Sequence, residues 1–426
     1  MDYWPIGMAV ALGLLLCGVP IAFALTGVGV IGVATLIGWT PALSLLGTTF
    51  FDTGRDYSLS VLPLFLMMGN FVVQSGIASE LYTAAYAWLR HRKGGLATAT
   101  VIACGAFSSV CGSSMATAAT MTRIALPSMR RFGYPDQLST ASIAAGGTLG
   151  ILIPPSVILV FYGIMTQQDI GKLFLAGLIP GIIGIVFYSV AVRLSIRWQK
   201  LDLPVESKLP LMDRLRALKG TAGALALFVF VMGGIYLGVF TPTESAGMGA
   251  GGAFLLVVLS GKFTWDGLVS VLYDTMKTTA MMFFILFGAL TFTNYVNMSG
   301  MTNDIQTFLS LFGGTPLVTI LVILCIYLVL GCVLESLSMI MLTVPVFYPI
   351  VAAQGIDLIW FGIFVVMVTE ISYITPPVGM NAFVLRSVVP DVRLSTIFRG
   401  LGPFVLMDVA RVALLTIFPA IVLFLT

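Results

Sequence analysis

Charge is the scarcest ingredient of this chain. Asp, Glu, Lys and Arg make up 9% of its 426 residues, against 58% hydrophobic residues. A soluble domain carries about 25% charged residues, so this composition excludes one. Histidine is nearly absent, and the single His91 sits in the basic stretch WLRHRKGG. That placement reads as a solvated loop and leaves no imidazole in the apolar runs for acid–base or metal chemistry. The five cysteines, Cys17, Cys104, Cys111, Cys325 and Cys332, lie in apolar runs without a CxxC pair. This argues against a disulfide framework or a thiolate metal site. There is no GxxxxGKS/T motif and no soluble stretch to house a nucleotide, which excludes direct ATP drive. The N-terminus, MDYWPIGMAVALGLLLCGVP, lacks a basic n-region and reads as a first helix. The net charge of +3 comes from basic loop residues with no interleaved aromatic stripe, so nucleic acid is not an expected partner.

What the chain has instead is a series of apolar runs, several reaching the roughly 20 residues that span a bilayer. Its 45 glycines and 29 phenylalanines suit packed membrane helices. The composition predicts an all-α polytopic membrane protein.

The chain also says the same thing twice, about 220 residues apart. GVPIAFALTGVGVIGV begins at Gly18 and GVFTPTESAGMGAGGA at Gly238; Gly27, Gly29 and Gly32 match Gly247, Gly249 and Gly252. QSGI at 74–77 answers MSGM at 298–301, Cys104 and Cys111 answer Cys325 and Cys332, and Pro127 answers Pro345. Pro154-Pro155 in GILIPPSVILVFYG answers Pro376-Pro377 in ISYITPPVGMNAFV. Their collinear order predicts two repeats, 1–197 and 220–426, joined by a hydrophilic cytoplasmic linker at 198–219. Repeat one is expected to hold scaffold helices over 4–38, a spanning helix at 59–76, an amphipathic arm at 77–91, a hairpin at 96–129, a Pro-broken helix at 138–166 and a last helix at 172–197. Repeat two is expected to hold scaffold helices over 221–260, a helix at 278–298, an arm at 301–313, a hairpin at 315–349, a broken helix at 357–386 and a last helix at 398–425.

The positive-inside rule decides the topology. If 96–129 and 315–349 are re-entrant hairpins, each repeat has five spanning elements, an odd number, and the second repeat is inverted. Arg90, Arg92, Lys93, Arg130, Arg131, the linker, Lys262, Lys277, Arg386, Arg393 and Arg399 then fall on the cytoplasmic face. Only Arg55 and Lys172 fall opposite, and both termini come out periplasmic. Full crossings would scatter the basic loops over both faces.

Inverted repeats with interrupted helices mark secondary transporters. Pro154 and Pro155 have no N–H, so the carbonyls of Gly150 and Ile151 lose their helical partners and can face a desolvated cation. Pro155 suits the first turn of a new half-helix, whose N-terminus favours an anion. The second pair repeats this, with Thr375 adding a hydroxyl and Asn381 an amide. A single Pro-Pro pair would read as a structural kink; two at matched places point to a site. Hairpin one carries AFSSVCGSSMATAAT, whose hydroxyls suit Na+ as well as close helix packing. Glu335 in hairpin two and Glu370 before the second break are charges at membrane depth, and so candidate functional groups. Glu244 in TPTESAG suits a helix cap, and the three-residue spacing of Asp408 and Arg411 suits an ion pair. Few carboxylates and many hydroxyls favour Na+ coupling over a proton relay. An intramembrane enzyme would need two aspartates or a Ser–His pair at membrane depth, which the spanning elements lack, so none is expected. A non-transporting assembly subunit would not need two cation-suited breaks.

These residues resemble the large membrane subunit of tripartite ATP-independent periplasmic (TRAP) transporters. The resemblance covers essentially the whole chain and is carried by GGTLGILIPPSVILVFYG, CGSSMATAAT, LESLSMIMLTVPVFYPI and TEISYITPPVGMNAFV. It implies an elevator-type, Na+-coupled importer of small organic acids, such as a C4-dicarboxylate or sugar acid, in the lipid of the bacterial inner membrane. It further implies a smaller membrane subunit and a periplasmic substrate-binding protein as partners. By position, Gly112, Ser113, Ser114, Gly150 and Pro154 resemble one Na+ site. Glu335, Ser336, Thr375, Pro376 and Gly379 resemble a second, with substrate near Ser156 and Asn381. The family commonly reads SGSS where this chain has Cys111 first, and an Asp-Pro pair where it has Glu335-Ser336. A stand-alone ion-coupled anion transporter of similar architecture is the alternative reading.

Overall fold

The structure, a computed structural model, describes residues 4–310, 314–331, 334–377 and 379–426. The end of the second expected arm, 311–313, and Cys332 lie outside the described residues. Among the described residues every regular element is helical. The chain opens with α1 (Trp4–Leu16), α2 (Ile21–Ile37), α3 (Trp39–Arg55), α4 (Val61–Ser75) and α5 (Ile77–Leu89). Then come α6 (Gly95–Cys111), α7 (Ser114–Arg131), α8 (Asp136–Thr148), α9 (Val157–Thr166) and α10 (Ile170–Trp198). The second half holds α11 (Leu211–Tyr236), α12 (Pro242–Leu259), α13 (Trp265–Met298), α14 (Met301–Ser310) and α15 (Pro316–Leu330). It ends with α16 (Ser336–Ala353), α17 (Leu358–Ile374), α18 (Met380–Val388), α19 (Leu394–Ile417) and α20 (Ala420–Leu423).

Seven of these, with the 3-10 turn Tyr57–Ser60 counted into α4, are long and apolar enough to cross a membrane by length and composition. They are α4, α10, α11, α12, α13, α16 and α19. The apolar helices α6, α9, α15 and α17 have 10–17 residues, because hairpin tips and proline pairs cut the apolar runs there. Although α16 reaches 18 residues, 78% of it is buried in protein, as befits one arm of a hairpin rather than a lipid-facing span.

The helix expected at 278–298 begins earlier, at Trp265, and the last helix expected at 398–425 is divided into α19 and α20 before and after Pro419. Two further differences are larger. The first is α3, which occupies 39–55, where the sequence reading places no element. Gly38 turns the chain at φ 96, and WTPALSLLGTTFFDTGR then forms an amphipathic helix with too many hydroxyls to register as a span. Phe50 stacks on Phe287 of α13 at 4.3 Å, and Asn294 donates to Thr49 at 3.3 Å. Trp39, Leu43 and Phe51 remain exposed. The second is the linker, whose last nine residues belong to α11. The remainder is stitched to the end of α5: Tyr86 and Arg90 both donate to the Glu206 carboxylate, and Lys93 pairs with Asp202 at 3.3 Å.

The halves of the chain interlock by matched contacts. The two most extensive helix pairs are α2 with α13 and α4 with α12. Small residues allow the first: a Cβ on Gly29 would fall 2.8 Å from the Thr291 backbone, and one on Gly288 2.6 Å from the Ala22 carbonyl. Gly249 meets the Met68 sulfur on the α4–α12 side in the same way. The turns match too, with Gly76 at φ 74 and Gly300 at φ 75 each ending a long helix and starting a short one. Each short helix then reaches into the other half. α5 packs on α11, and α14 is tied to α1 by Trp4 Nε1 donating to Asp304 at 2.6 Å. Glu244 caps α12 in a capping box with Thr241, accepting from Thr241 N at 2.8 Å. Cys17, Cys104, Cys111 and Cys325 are free thiols.

Candidate functional site

Two helical hairpins, α6–α7 and α15–α16, meet two broken helices, α8–α9 and α17–α18. α7 packs on α18 and α16 on α9, so each hairpin faces the break-forming helix of the other half. Both Pro-Pro peptide bonds are cis.

At hairpin one the chain must reverse in two residues. Gly112 takes φ 66, and Ser113 caps α7 by accepting from Ala116 N at 3.3 Å. The tip lies directly on the first break. A Cβ on Gly112 would fall 2.8 Å from the Pro155 carbonyl oxygen, and one on Gly150 3.0 Å from the Ser113 carbonyl and 3.1 Å from Ser114 N. Gly112, Ser113, Ser114 and Gly150 therefore lie together. Pro154 packs instead beside Gly177 of α10. Asn381 of α18 reaches across and donates to Ser114 Oγ at 2.9 Å and to the Ala144 carbonyl at 2.8 Å. That cross-link joins the second break to hairpin one and to α8.

Ser156 is placed differently from the expectation of substrate contact. It is fully buried, caps α9, and donates its hydroxyl to the Ile151 carbonyl at 2.5 Å. One of the two carbonyls freed by the prolines is thus consumed by the nearest hydroxyl. Burial also encloses Asn381 completely.

At hairpin two, Glu335 caps α16. Its Oε1 accepts from Ser338 N at 3.3 Å and from Ser338 Oγ at 3.2 Å. Next to it lies a cavity of about 10 Å³, bounded by Ser336, Leu334, Gly331, Ser372, Tyr373 and Met380. That is the room needed for one water or small ion. The Ser336 hydroxyl is buried without a partner, and Ser336 N faces the Tyr373 hydroxyl at 3.4 Å. Tyr373 and Met380 bracket the second break, where Gly379 holds φ 58 at the start of α18. Ser336 and the break containing Thr375, Pro376 and Gly379 are therefore neighbours, whereas the Glu335 carboxylate turns to its own helix. A larger cavity of about 310 Å³ between α1, α14, α15 and α16 is lined by apolar atoms and offers nothing to hold an ion.

A third feature is spatial rather than sequential. Arg123, Arg130 and Arg131 of α7 line an open cavity of about 610 Å³ against Val388 and Val389 at the end of α18. Arg130 bridges Asp136 at 2.7 Å and Asp391 at 2.7 Å, and its hydrogen bond holds the Asp391 carboxyl below the usual carboxylate range. In the sequence Arg130 and Arg131 mark only the cytoplasmic face and Arg123 falls inside the expected hairpin; the cavity they share depends on α18 folding back onto α7.

Comparison with known proteins agrees with this architecture. Residues 8–421 match the family described as "Tripartite ATP-independent periplasmic transporter, DctM component". The chain is 35% identical to the C4-dicarboxylate TRAP transporter large permease protein DctM of Pseudomonas aeruginosa, over 92% of each chain. It is 31% identical to the sialic acid TRAP transporter large permease protein SiaM of Vibrio cholerae, covering 97% of this chain and 96% of that one. The Alcanivorax borkumensis YdaH transporter, solved as a crystal structure with an unusual topology, shares the fold at TM-score 0.60 and 16% identity over 89% of each chain. The match across nearly the whole chain, together with paired hairpins on paired breaks, makes this protein a member of the DctM family, the large permease component of tripartite ATP-independent periplasmic transporters.

Proposed function

We propose that this chain imports a small organic acid, a carboxylate such as a C4-dicarboxylate or sugar acid, across the bacterial inner membrane together with Na+. The reading rests chiefly on one observation: each broken helix has a hairpin tip laid on or beside it, at Gly112–Pro155 in one half and at Ser336–Tyr373 in the other. Na+ takes oxygen ligands, and both places supply them from carbonyls and hydroxyls. Around hairpin one the candidates are Gly112, Ser113, Ser114 and Gly150, with the Pro155 carbonyl. At hairpin two they are Ser336, Thr375, Pro376 and Gly379, with the unpartnered Ser336 hydroxyl in an ion-sized cavity. The substrate carboxylate lies between the tips near Asn381 and leaves past Arg123, whose cavity draws anions.

The hairpins and broken helices move as one body, in elevator fashion, against a scaffold of α1, α2, α11 and α12, braced by the arms α5 and α14. A smaller membrane subunit supports the scaffold, and a periplasmic binding protein delivers the substrate. The basic loops face the cytoplasm and both termini the periplasm, as the positive-inside rule requires of two inverted repeats. Names of relatives, DctM for C4-dicarboxylates and SiaM for sialic acid, support an organic acid as cargo.

Proteoliposomes carrying the permease and its small subunit test this. Uptake of the acid bound by the partner binding protein should require both that protein and an inward Na+ gradient. Uptake that persists without Na+ contradicts the coupling, and uptake without the binding protein favours a stand-alone anion transporter.

A further inference from the structure

One charge cluster lies wholly inside the helix bundle. Glu370 of α17 and Asp408 of α19 both face the Arg411 guanidinium, and none of the three side chains is more than 1% exposed. Arg411 Nη2 donates to Glu370 Oε2 and lies 2.8 Å from Asp408 Oδ1. Tyr188 of α10 donates to Asp408 Oδ2 at 2.7 Å, and its hydroxyl lies 2.9 Å from Thr148 Oγ1 of α8. Gly184, one turn earlier on α10, makes room, since a Cβ there would fall 2.3 Å from Arg411 Nη1.

Two carboxylates and one guanidinium sum to −1 when all are ionised. An unbalanced charge at zero exposure is strongly disfavoured and is ordinarily removed by binding a proton. The two carboxylates are alike in their partners. Asp408 Oδ2 accepts from Tyr188 and Glu370 Oε2 from Arg411. Asp408 Oδ1, though 2.8 Å from Arg411 Nη2, and Glu370 Oε1 are both buried without a hydrogen bond. A neutral O–H at either place costs less than an ionised oxygen with no donor. The charged and titratable groups acting on Glu370 are Arg411 and Asp408 of α19 and Tyr188 of α10. Among the described residues, the other helices packed on α17, namely α8, α9, α15, α16, α18 and α20, bring it no further charge.

We propose that this cluster is a proton-binding site, with one proton held by the Glu370–Asp408 pair of carboxylates. One proton from water binds one carboxylate, and no other bond changes. The position gives the proton its consequence. Thr148 ends α8 just before the first break, and Glu370 lies on α17 one turn before the second. The bound proton joins the helices behind both breaks without net charge; its loss leaves an unpaired negative charge between them. Nothing in this depends on which substrate is carried.

Infrared spectra of the purified full chain in lipid, taken at neutral pH without substrate, test it. The wild type should show the carbonyl stretch of a protonated, exchange-shielded carboxylic acid. Glu370→Gln and Asp408→Asn should each lose that band, because the one carboxylate that remains ionises to balance Arg411. Both variants keep the cluster neutral and should elute as folded protein. A wild type without that band, or a band retained in either variant, would overturn the assignment.

Discussion

Gly112 shows how much one residue decides. Its φ of 66 lies in the left-handed region, and any Cβ would press within 2.8 Å of the Pro155 carbonyl, a backbone atom that cannot swing away. Gly112→Ala should cost about 1–2 kcal/mol in backbone strain alone, and more in prising the hairpin tip from the first break. The expected outcome is a lowered melting temperature and uptake reduced roughly tenfold or more, since about 1.4 kcal/mol is a factor of ten. At this scale the sequence is legible where a motif carries its own geometry. The glycine in CGSSM and the asparagine five residues after the first proline of the second pair both stand at the tip contacts. Ser156 is illegible, because its hydroxyl is claimed by Ile151 only once the backbone bends. Glu370 is half legible. Spacing pairs Asp408 with Arg411, but the third member arrives from another helix 41 residues from Arg411, a distance local pattern does not encode.

At the scale of elements, the hairpin tips depend on their caps. Glu335 both caps α16 and carries a charge beside the proposed ion cavity. Glu335→Gln keeps the capping oxygen and removes the charge. It should leave folding within about 1 kcal/mol of wild type and raise the Na+ concentration needed for half-maximal uptake, measured as a Na+ titration at fixed substrate. Hairpin one is anchored at its base by Arg130, which bridges Asp136 and Asp391. Because Arg130 holds the folded Asp391 carboxyl below its ordinary value, this bridge stabilises fully above that value and fades as pH falls toward the lower folded one. The melting-temperature gap between wild type and Asp391→Asn should therefore be present at neutral pH and narrow as pH falls below the ordinary Asp value of about 3.9. Hairpins and breaks are legible as elements because glycine and proline interrupt apolar runs at matched places. The helix α3 is not, since its one-sided apolar face is diluted by Thr, Ser and Asp.

For the whole molecule, the most useful signal is repetition. The matched glycines predict which helices can approach closely, and Gly29 and Gly249 both stand at such contacts. What repetition does not encode is the exchange of partners, in which α2 seeks α13 and α4 seeks α12. That exchange is a property of packing, set by small-residue faces meeting across the bundle rather than within one half. It places Asn381 of the second half against Ser114 of the first, so that neither break is complete alone. A coupled transporter needs such shared construction, since ion and substrate must bias the same moving body.

The central claim, that organic acid and Na+ cross together, is tested most directly by reversing the usual measurement. Proteoliposomes holding the permease and its small subunit are given radiolabelled Na+ outside, at equal concentration on both sides, with the loaded binding protein. Adding the acid should drive Na+ inward in proportion to the acid taken up, and Ser336→Ala should weaken that flux. Acid entry with no accompanying Na+ movement would contradict the account.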